Sequence, residues 1–261
     1  MVFALGLGDA LVGVTHECDY PPEAAGLPQV TRTNIPPGLA SREIDVSVRA
    51  TLDSLGSLYE LDLERLERLQ PDLILTQRLC SVCAVSTDRV EPAALSLPSR
   101  PQVLNLEPHS LDDILDSIRV VGAATGREAS ATAVVAGLER RIDAVRANTS
   151  GLTPRPRVSC MEWVDPPFCG GHWMKELVEL AGGVDALARA GEPSRQVAWQ
   201  AVMEFAPEVL VLTCCGFSLE RCLQEAQILR RYAGFEDLPA AQSGSVYATD
   251  GSAYFSRRGR G

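Results

Sequence analysis

The 261-residue sequence lacks the features that mark a nucleic-acid-binding or membrane-spanning protein. It has 24 Lys and Arg against 34 Asp and Glu, and the net charge of −10 disfavours a polyanionic partner such as nucleic acid. No apolar run of about 18 residues occurs, so no membrane insertion is expected. No charged segment followed by an apolar stretch opens the chain. We therefore expect a cytoplasmic location, or an exported one if the N-terminus is truncated.

Catalytic signatures are missing as well. The sequence has no Gly-rich phosphate loop, no His-Glu-x-x-His and no Gly-x-Ser-x-Gly. We expect no catalytic residue, no required cofactor and no bond-making step.

The hydrophobic pattern predicts the fold class. Hydrophobic residues make up 46% of the chain, which is enough for a large core. Helical spacing of apolar residues alternates with short apolar runs, and these runs predict strands at 11–14, 73–75, 103–106, 158–164, 209–212 and 246–249. Segments 69–77 and 205–213 share a helix end, a Pro-acid pair and an apolar strand. The repeated pattern predicts an α/β fold of two Rossmann-like lobes with parallel sheets, joined by one long α-helix.

The same pattern gives the predicted domain boundaries. Residues 1–108 form the N-terminal lobe, and residues 151–261 form the C-terminal lobe. A helical segment at 109–150 lies between them, with the long helix at about 127–148.

Ligands of open parallel sheets bind at the carboxyl ends of the strands. Those positions hold most of the thiols, imidazoles and indoles of this chain, so we expect them to face a shared cleft. The predicted ligand-binding residues are His16, Cys18, Tyr20, Gln77, Cys80 and Cys83 in the first lobe, with Glu162, Trp163, Cys169, His172, Trp173, Cys214, Phe217, Asp250 and Tyr254 in the second. Such groups suit a ligand with large flat surfaces and some polar decoration.

Several of these residues also have a simpler structural explanation. Trp163 and Trp173 could stack on a ligand or pack within the lobe, whereas Trp199 is expected in the core. Cys80-x-x-Cys83 could hold a metal ion with His16 and Cys18, although small buried thiols explain the pattern equally simply. Among the histidines, His172 is a better candidate than His16 or His109 for an imidazole that ligates a metal ion.

The segment Leu-Tyr-Glu-Leu-Asp-Leu-Glu-Arg-Leu-Glu-Arg-Leu-Gln-Pro-Asp-Leu-Ile-Leu at 58–75 resembles that of helical-backbone (class III) substrate-binding proteins. Segments 3–15, 170–183 and 246–251 are similar to the same family, which serves ABC importers of cobalamin and iron–siderophores. The likeness is strongest to a cobalamin-binding branch without export signals. It implies a periplasmic-binding-protein-like fold, a ligand cleft between the lobes, capture of a corrinoid, most commonly cobalamin, and a possible ABC permease partner.

A second hypothesis belongs to another class of function. Thiols at strand ends could make the chain a cytosolic metal-handling or thiol-dependent enzyme that reuses this fold, because a fold does not fix a function.

Overall fold

The computed structural model describes residues 1–77 and 87–256. It divides the chain into two compact units. Unit 1 comprises Met1–Pro108 and Asp113–Val135, and unit 2 comprises His109–Asp112 and Ala136–Gly261.

Unit 1 contains two small sheets. Strand β1 (Thr31–Thr33) pairs antiparallel with β2 (Tyr59–Leu61), and β3 (Leu73–Thr76) pairs in parallel with β4 (Gln102–Asn105). Its helical elements, of which α4 and α5 cross a unit boundary, are α1 (Ser41–Leu55), α2 (Leu63–Leu69), α3 (Thr87–Ser96), α4 (Leu111–Ala124) and α5 (Glu128–Thr149). Helix α2 begins at a local cap, because the Asp62 carboxylate accepts a hydrogen bond from the Arg65 amide at 2.9 Å. The long helix predicted at about 127–148 is present as α5.

The apolar run at 11–14 does not form the predicted strand. Val14 makes a single bridge to Gln29, with backbone hydrogen bonds from Val14 N–H to Pro28 O and from Val30 N–H to Val14 O. Pro28 has no N–H to donate, so the ladder cannot extend in that direction.

Unit 2 is built on a five-stranded sheet of order β7-β6-β5-β8-β9. The strands are β5 (Val158–Trp163), β6 (Phe168–Cys169), β7 (Arg195–Gln196), β8 (Val209–Leu212) and β9 (Val246–Ala248), and the helices are α6 (Met174–Leu180), α7 (Trp199–Phe205), α8 (Leu219–Leu229) and α9 (Pro239–Gln242). Strands β5, β8 and β9 are parallel. The α/β class is therefore confirmed.

The sheet of unit 2 is mixed, whereas the sequence predicted a parallel one. Strands β6 and β7 are antiparallel to their neighbours. The reason is the short connection at 164–167 between β5 and β6, since a link of this length can join only antiparallel strands.

The core of unit 2 lies against strands β5 and β8. Met161, Leu210, Leu212 and Leu229 are almost completely buried in one cluster with Phe235. Burial of each such side chain contributes about 1.5–3 kcal/mol to folding. This packed layer fixes the strand ends from which the loops described below extend.

Candidate ligand-binding site

The loops that follow β5, β8 and β9 meet at one edge of the unit 2 sheet. Cys215 N–H donates to Glu162 O at 3.0 Å, and Ser252 N–H donates to Phe217 O at 3.0 Å. Because the three strands are parallel, their carboxyl ends reach the same edge. We call this set of loops, 162–173, 213–218 and 249–254, the strand-end surface.

An aromatic pair belongs to the strand-end surface. The rings of Trp163 and Phe217 lie 4.9 Å apart at an interplanar angle of 47°. Trp163 Nε1–H donates to Asp165 O at 3.2 Å, which orients the indole. The Arg221 guanidinium lies 4.9 Å from the Phe217 ring centroid and pairs with the buried Glu225 carboxylate at 3.0 Å. The pair is thus held from both sides, with both rings only half-buried.

A tight turn precedes α6 and carries a second pair of rings, His172 and Trp173. The Glu162 carboxylate accepts a hydrogen bond from Gly171 N–H at 2.9 Å. A Cβ on Gly171 would lie 2.1 Å from the Ser194 backbone nitrogen, so only glycine fits there. The next residue, His172, has a φ of 52°, which is unusual for a non-glycine residue.

Backbone bonds hold His172 in this conformation. Its N–H donates to Glu192 O at 2.6 Å, and its carbonyl accepts from Gly191 N–H at 3.1 Å. The His172 ring lies 5.7 Å from Trp173 and 5.8 Å from His109. A left-handed residue fixed by its surroundings is typical of functional turns.

His109 was not among the predicted site residues. Its Nδ1 lies 3.1 Å from Gly191 O, and its ring is exposed beside His172. Nothing in the local sequence could have shown this, since 172 − 109 = 63 residues separate the two histidines.

Two predicted thiols of unit 2 lie in the core. Cys214 is completely buried, and Cys169 is buried with its Sγ 3.5 Å from Arg195 O. Burial also raises the pKa of the Cys169 thiol. These two side chains therefore pack under the strand-end surface in this structure.

The last predicted residues of unit 2 lie after β9. The Asp250 carboxylate accepts a hydrogen bond from Ala253 N–H at 2.6 Å, which caps the following turn. Tyr254 is 66% exposed. Asp250 thus shapes the loop, while Tyr254 offers an accessible ring.

The predicted residues of unit 1 have separate local contacts. His16 Nδ1 lies 2.7 Å from Thr31 Oγ1, and its ring lies 5.3 Å from Tyr59. Cys18 Sγ lies 3.2 Å from Thr15 Oγ1. Tyr20 is half exposed, and Gln77 directly follows β3. Cys80 and Cys83 lie outside the described residues.

The metal clip predicted at Cys80 and Cys83 lies outside the described residues. Across residues 1–77 and 87–256, no three His, Cys, Asp or Glu side chains are placed to hold a metal ion.

The fold and this surface define a small-molecule-binding protein of the α/β class, and the comparisons identify the family. The family model described as periplasmic binding protein matches residues 1–253, and the chain belongs to that family. The vitamin B12-binding protein of Vibrio cholerae serotype O1 is 23% identical over 249 residues, which cover 95% of this chain and 76% of that protein.

Two solved structures from the same organism share the fold. The periplasmic vitamin B12-binding protein of Vibrio cholerae has a TM-score of 0.67 and 21% identity, with 96% of this chain and 83% of the other covered. The periplasmic heme-binding protein HutB of Vibrio cholerae has a TM-score of 0.70 and 17% identity, with 98% and 87% covered.

The comparisons confirm the resemblance and correct one expectation. The chain is a substrate-binding protein and not an enzyme, and its small molecule is a ligand and not a cofactor. The expected cytoplasmic location is wrong, because the family to which the chain belongs is periplasmic. In the described ranges, no helix combines the length and the apolar character needed to span a bilayer.

Proposed function

We propose that this protein binds a corrinoid, with cobalamin as the ligand, and delivers it to an ABC permease. The permease partner rests on the family, and the ligand class rests on the vitamin B12-binding relatives that align with 95% of the chain. The observation that carries the ligand proposal is the strand-end surface of unit 2. Two indoles, one imidazole and a phenyl ring lie on its loops at 162–173 and 213–218, and the His109 imidazole lies beside His172.

The chemistry of this surface suits a corrinoid. The half-buried Trp163–Phe217 pair and Trp173 offer apolar faces for a large, flat macrocycle. The His172 imidazole is of the ligand type that cobalt accepts. Backbone amides and Tyr254 supply hydrogen bonds for amide side chains at a corrin rim. We also propose that the predicted residues of the first lobe take part in ligand binding, namely His16, Cys18, Tyr20, Gln77, Cys80 and Cys83.

A titration tests the ligand. We expect aquocobalamin and cyanocobalamin to quench tryptophan fluorescence with one-to-one stoichiometry, because two indoles lie on the surface. If His172 coordinates cobalt, aquocobalamin alone also changes its visible spectrum, since cyanide holds the axial site in the other form. Hemin is the competitor, because the fold is shared with a heme-binding protein. Hemin binding without corrinoid binding would reject cobalamin and favour a porphyrin.

His172→Asn separates coordination from packing. Asn tolerates the left-handed conformation at this position better than most residues, so the turn is preserved. We expect this variant to bind cobalamin without the spectral change. An unchanged spectrum in the wild-type complex, with full affinity, would show that His172 packs against the ligand without ligating it.

A further inference from the structure

Two thiols below the strand-end surface are placed next to each other. Cys214 follows β8, and Cys222 lies in the second turn of α8, which begins at the Ser218 cap. Both side chains are completely buried in the same cluster of unit 2. Cys222 Sγ lies 4.0 Å from Phe217 O, so the Cys222 thiol lies against the turn that begins at Cys214. Both are free thiols in this structure.

The surrounding backbone holds this contact in place. Cys222 N–H donates to Ser218 O at 2.9 Å, and Phe217 N–H donates to Cys214 O at 3.1 Å. A Cβ on Gly251 would lie 2.0 Å from Cys214 O, so the loop after β9 closes directly over Cys214. These contacts hold the Cys222 thiol and the Cys214 backbone in the same buried corner of unit 2.

We propose that Cys214 and Cys222 form a disulfide bond in the oxidised protein, which closes the loop that carries Phe217. The family is periplasmic, and the bacterial periplasm is kept oxidising by thiol–disulfide exchange. A hydrogen bond from Cys214 lowers the pKa of Cys222 to about 7, so Cys222 is the thiolate that starts the exchange. This inference does not depend on the identity of the ligand.

The reaction balances with a disulfide as oxidant. The Cys222 thiolate attacks one sulfur of the oxidant, breaks its S–S bond and releases one thiol. The Cys214 thiol loses its proton and displaces the second oxidant sulfur from Cys222. One S–S bond forms in the protein, and two electrons and two protons reduce the oxidant to two thiols. Because both thiols are buried, the loop must open briefly for the exchange to occur.

Trypsin gives a direct readout of the bond. Cleavage after Arg195, Arg221 and Arg230 places Cys214 and Cys215 in peptide 196–221 and Cys222 in peptide 222–230. The folded, full-length protein is equilibrated with oxidised and reduced glutathione, alkylated and digested without reductant. We expect the two peptides to be joined in mass spectrometry and to separate after dithiothreitol.

Variants identify the partner and exclude its neighbour. Cys215 is exposed, so Cys215→Ser is the matched control and should retain the linked peptides. Cys214→Ser and Cys222→Ser should lose them. The residues are 222 − 214 = 8 apart, and closing a loop of this size should raise the Tm of the oxidised wild type by about 5–10 °C over the reduced form.

Other results would overturn the proposal. Linkage through Cys215, linkage confined to Cys80 and Cys83, or free thiols at 214 and 222 after equilibration would each do so. The peptide maps of the wild type and of Cys215→Ser together decide this, because peptide 196–221 carries both Cys214 and Cys215 and the exposed Cys215 can be replaced without disturbing the core.

Discussion

Asp185 allows a stability prediction worked from its contacts. Its side chain is completely buried, and Oδ1 accepts hydrogen bonds from Leu187 N–H at 2.9 Å and Ala188 N–H at 3.0 Å. Oδ2 is buried without a hydrogen-bond partner. The carboxyl thus holds the backbone of the loop after α6 together, at the cost of a buried charge.

Asp185→Ala and Asp185→Asn separate these two effects. Alanine removes the acceptor and leaves at least two buried amides unsatisfied, so we expect a loss of about 2–4 kcal/mol of unfolding free energy. Asparagine keeps an acceptor oxygen and removes the charge, so its stability at neutral pH should lie within about 1 kcal/mol of the wild type. Urea unfolding followed by circular dichroism measures both values.

The pH dependence has a definite sign. Burial raises the pKa of Asp185, against the lowering effects of the amide donors and Lys175. Between pH 3.8, the ordinary pKa, and the raised pKa of the folded state, Asp185 is protonated in the folded protein and ionised in the unfolded chain, so unfolding releases a proton. The wild type therefore loses stability relative to Asp185→Asn as the pH rises through that window. A difference between the two that stays constant with pH, or an alanine variant as stable as asparagine, would refute this reasoning.

Three further predictions concern the site and its support. Trp173→Ala should weaken cobalamin binding by about 1–3 kcal/mol. Trp199→Ala should instead lower the unfolding free energy by about 3–5 kcal/mol and leave the affinity of the folded fraction unchanged, because Trp199 stacks on Tyr232 at 4.6 Å and donates to Ala233 O. Ligand titration and urea unfolding distinguish the two variants, and the reverse pattern would contradict the site. Gly171→Ala should destabilise the fold by about 1–3 kcal/mol, because the new Cβ would clash with the Ser194 backbone. The control Gly137→Ala lies in α5, where a Cβ would have no neighbour nearer than 3.9 Å, and it should stabilise the fold by up to about 1 kcal/mol. Thermal melts compare the two variants, and equal effects would contradict the close approach of Gly171 to Ser194. The pKa of Cys222 is lowered to about 7 from 9.0 in the folded protein. The stability of the reduced wild type relative to Cys222→Ser should therefore increase as the pH rises from 7 to 9, and this gain should be lost once the pH falls through 7. Unfolding in dithiothreitol across that range checks the sign, and a difference that does not change with pH would contradict it.

The sequence predicts the parallel strands and the long helix because their signals are local. Strands β8 and β9 are continuous apolar runs, β5 is mostly apolar, and α5 has an uninterrupted helical repeat. Strands β6 and β7 have two residues each, which is too short for any periodicity, so their antiparallel pairing is visible only in the structure.

The candidate site is predictable in part for the same reason. Trp163 and Phe217 follow parallel strands, and their contact comes from that topology. His109 reaches His172 through tertiary packing that no local pattern encodes. Cys214 is placed at a strand end as expected, but the residue type does not distinguish a thiol that faces a ligand from one that packs in the core.

The edge strands of the unit 2 sheet affect how readily the sheet can pair with a second molecule. Among the described residues, one margin is the two-residue strand β7 and the other is the three-residue strand β9. Strands this short offer too few open amides and carbonyls to recruit a strand from another molecule. The sheet of unit 2 therefore offers little template for edge-to-edge pairing with a second molecule.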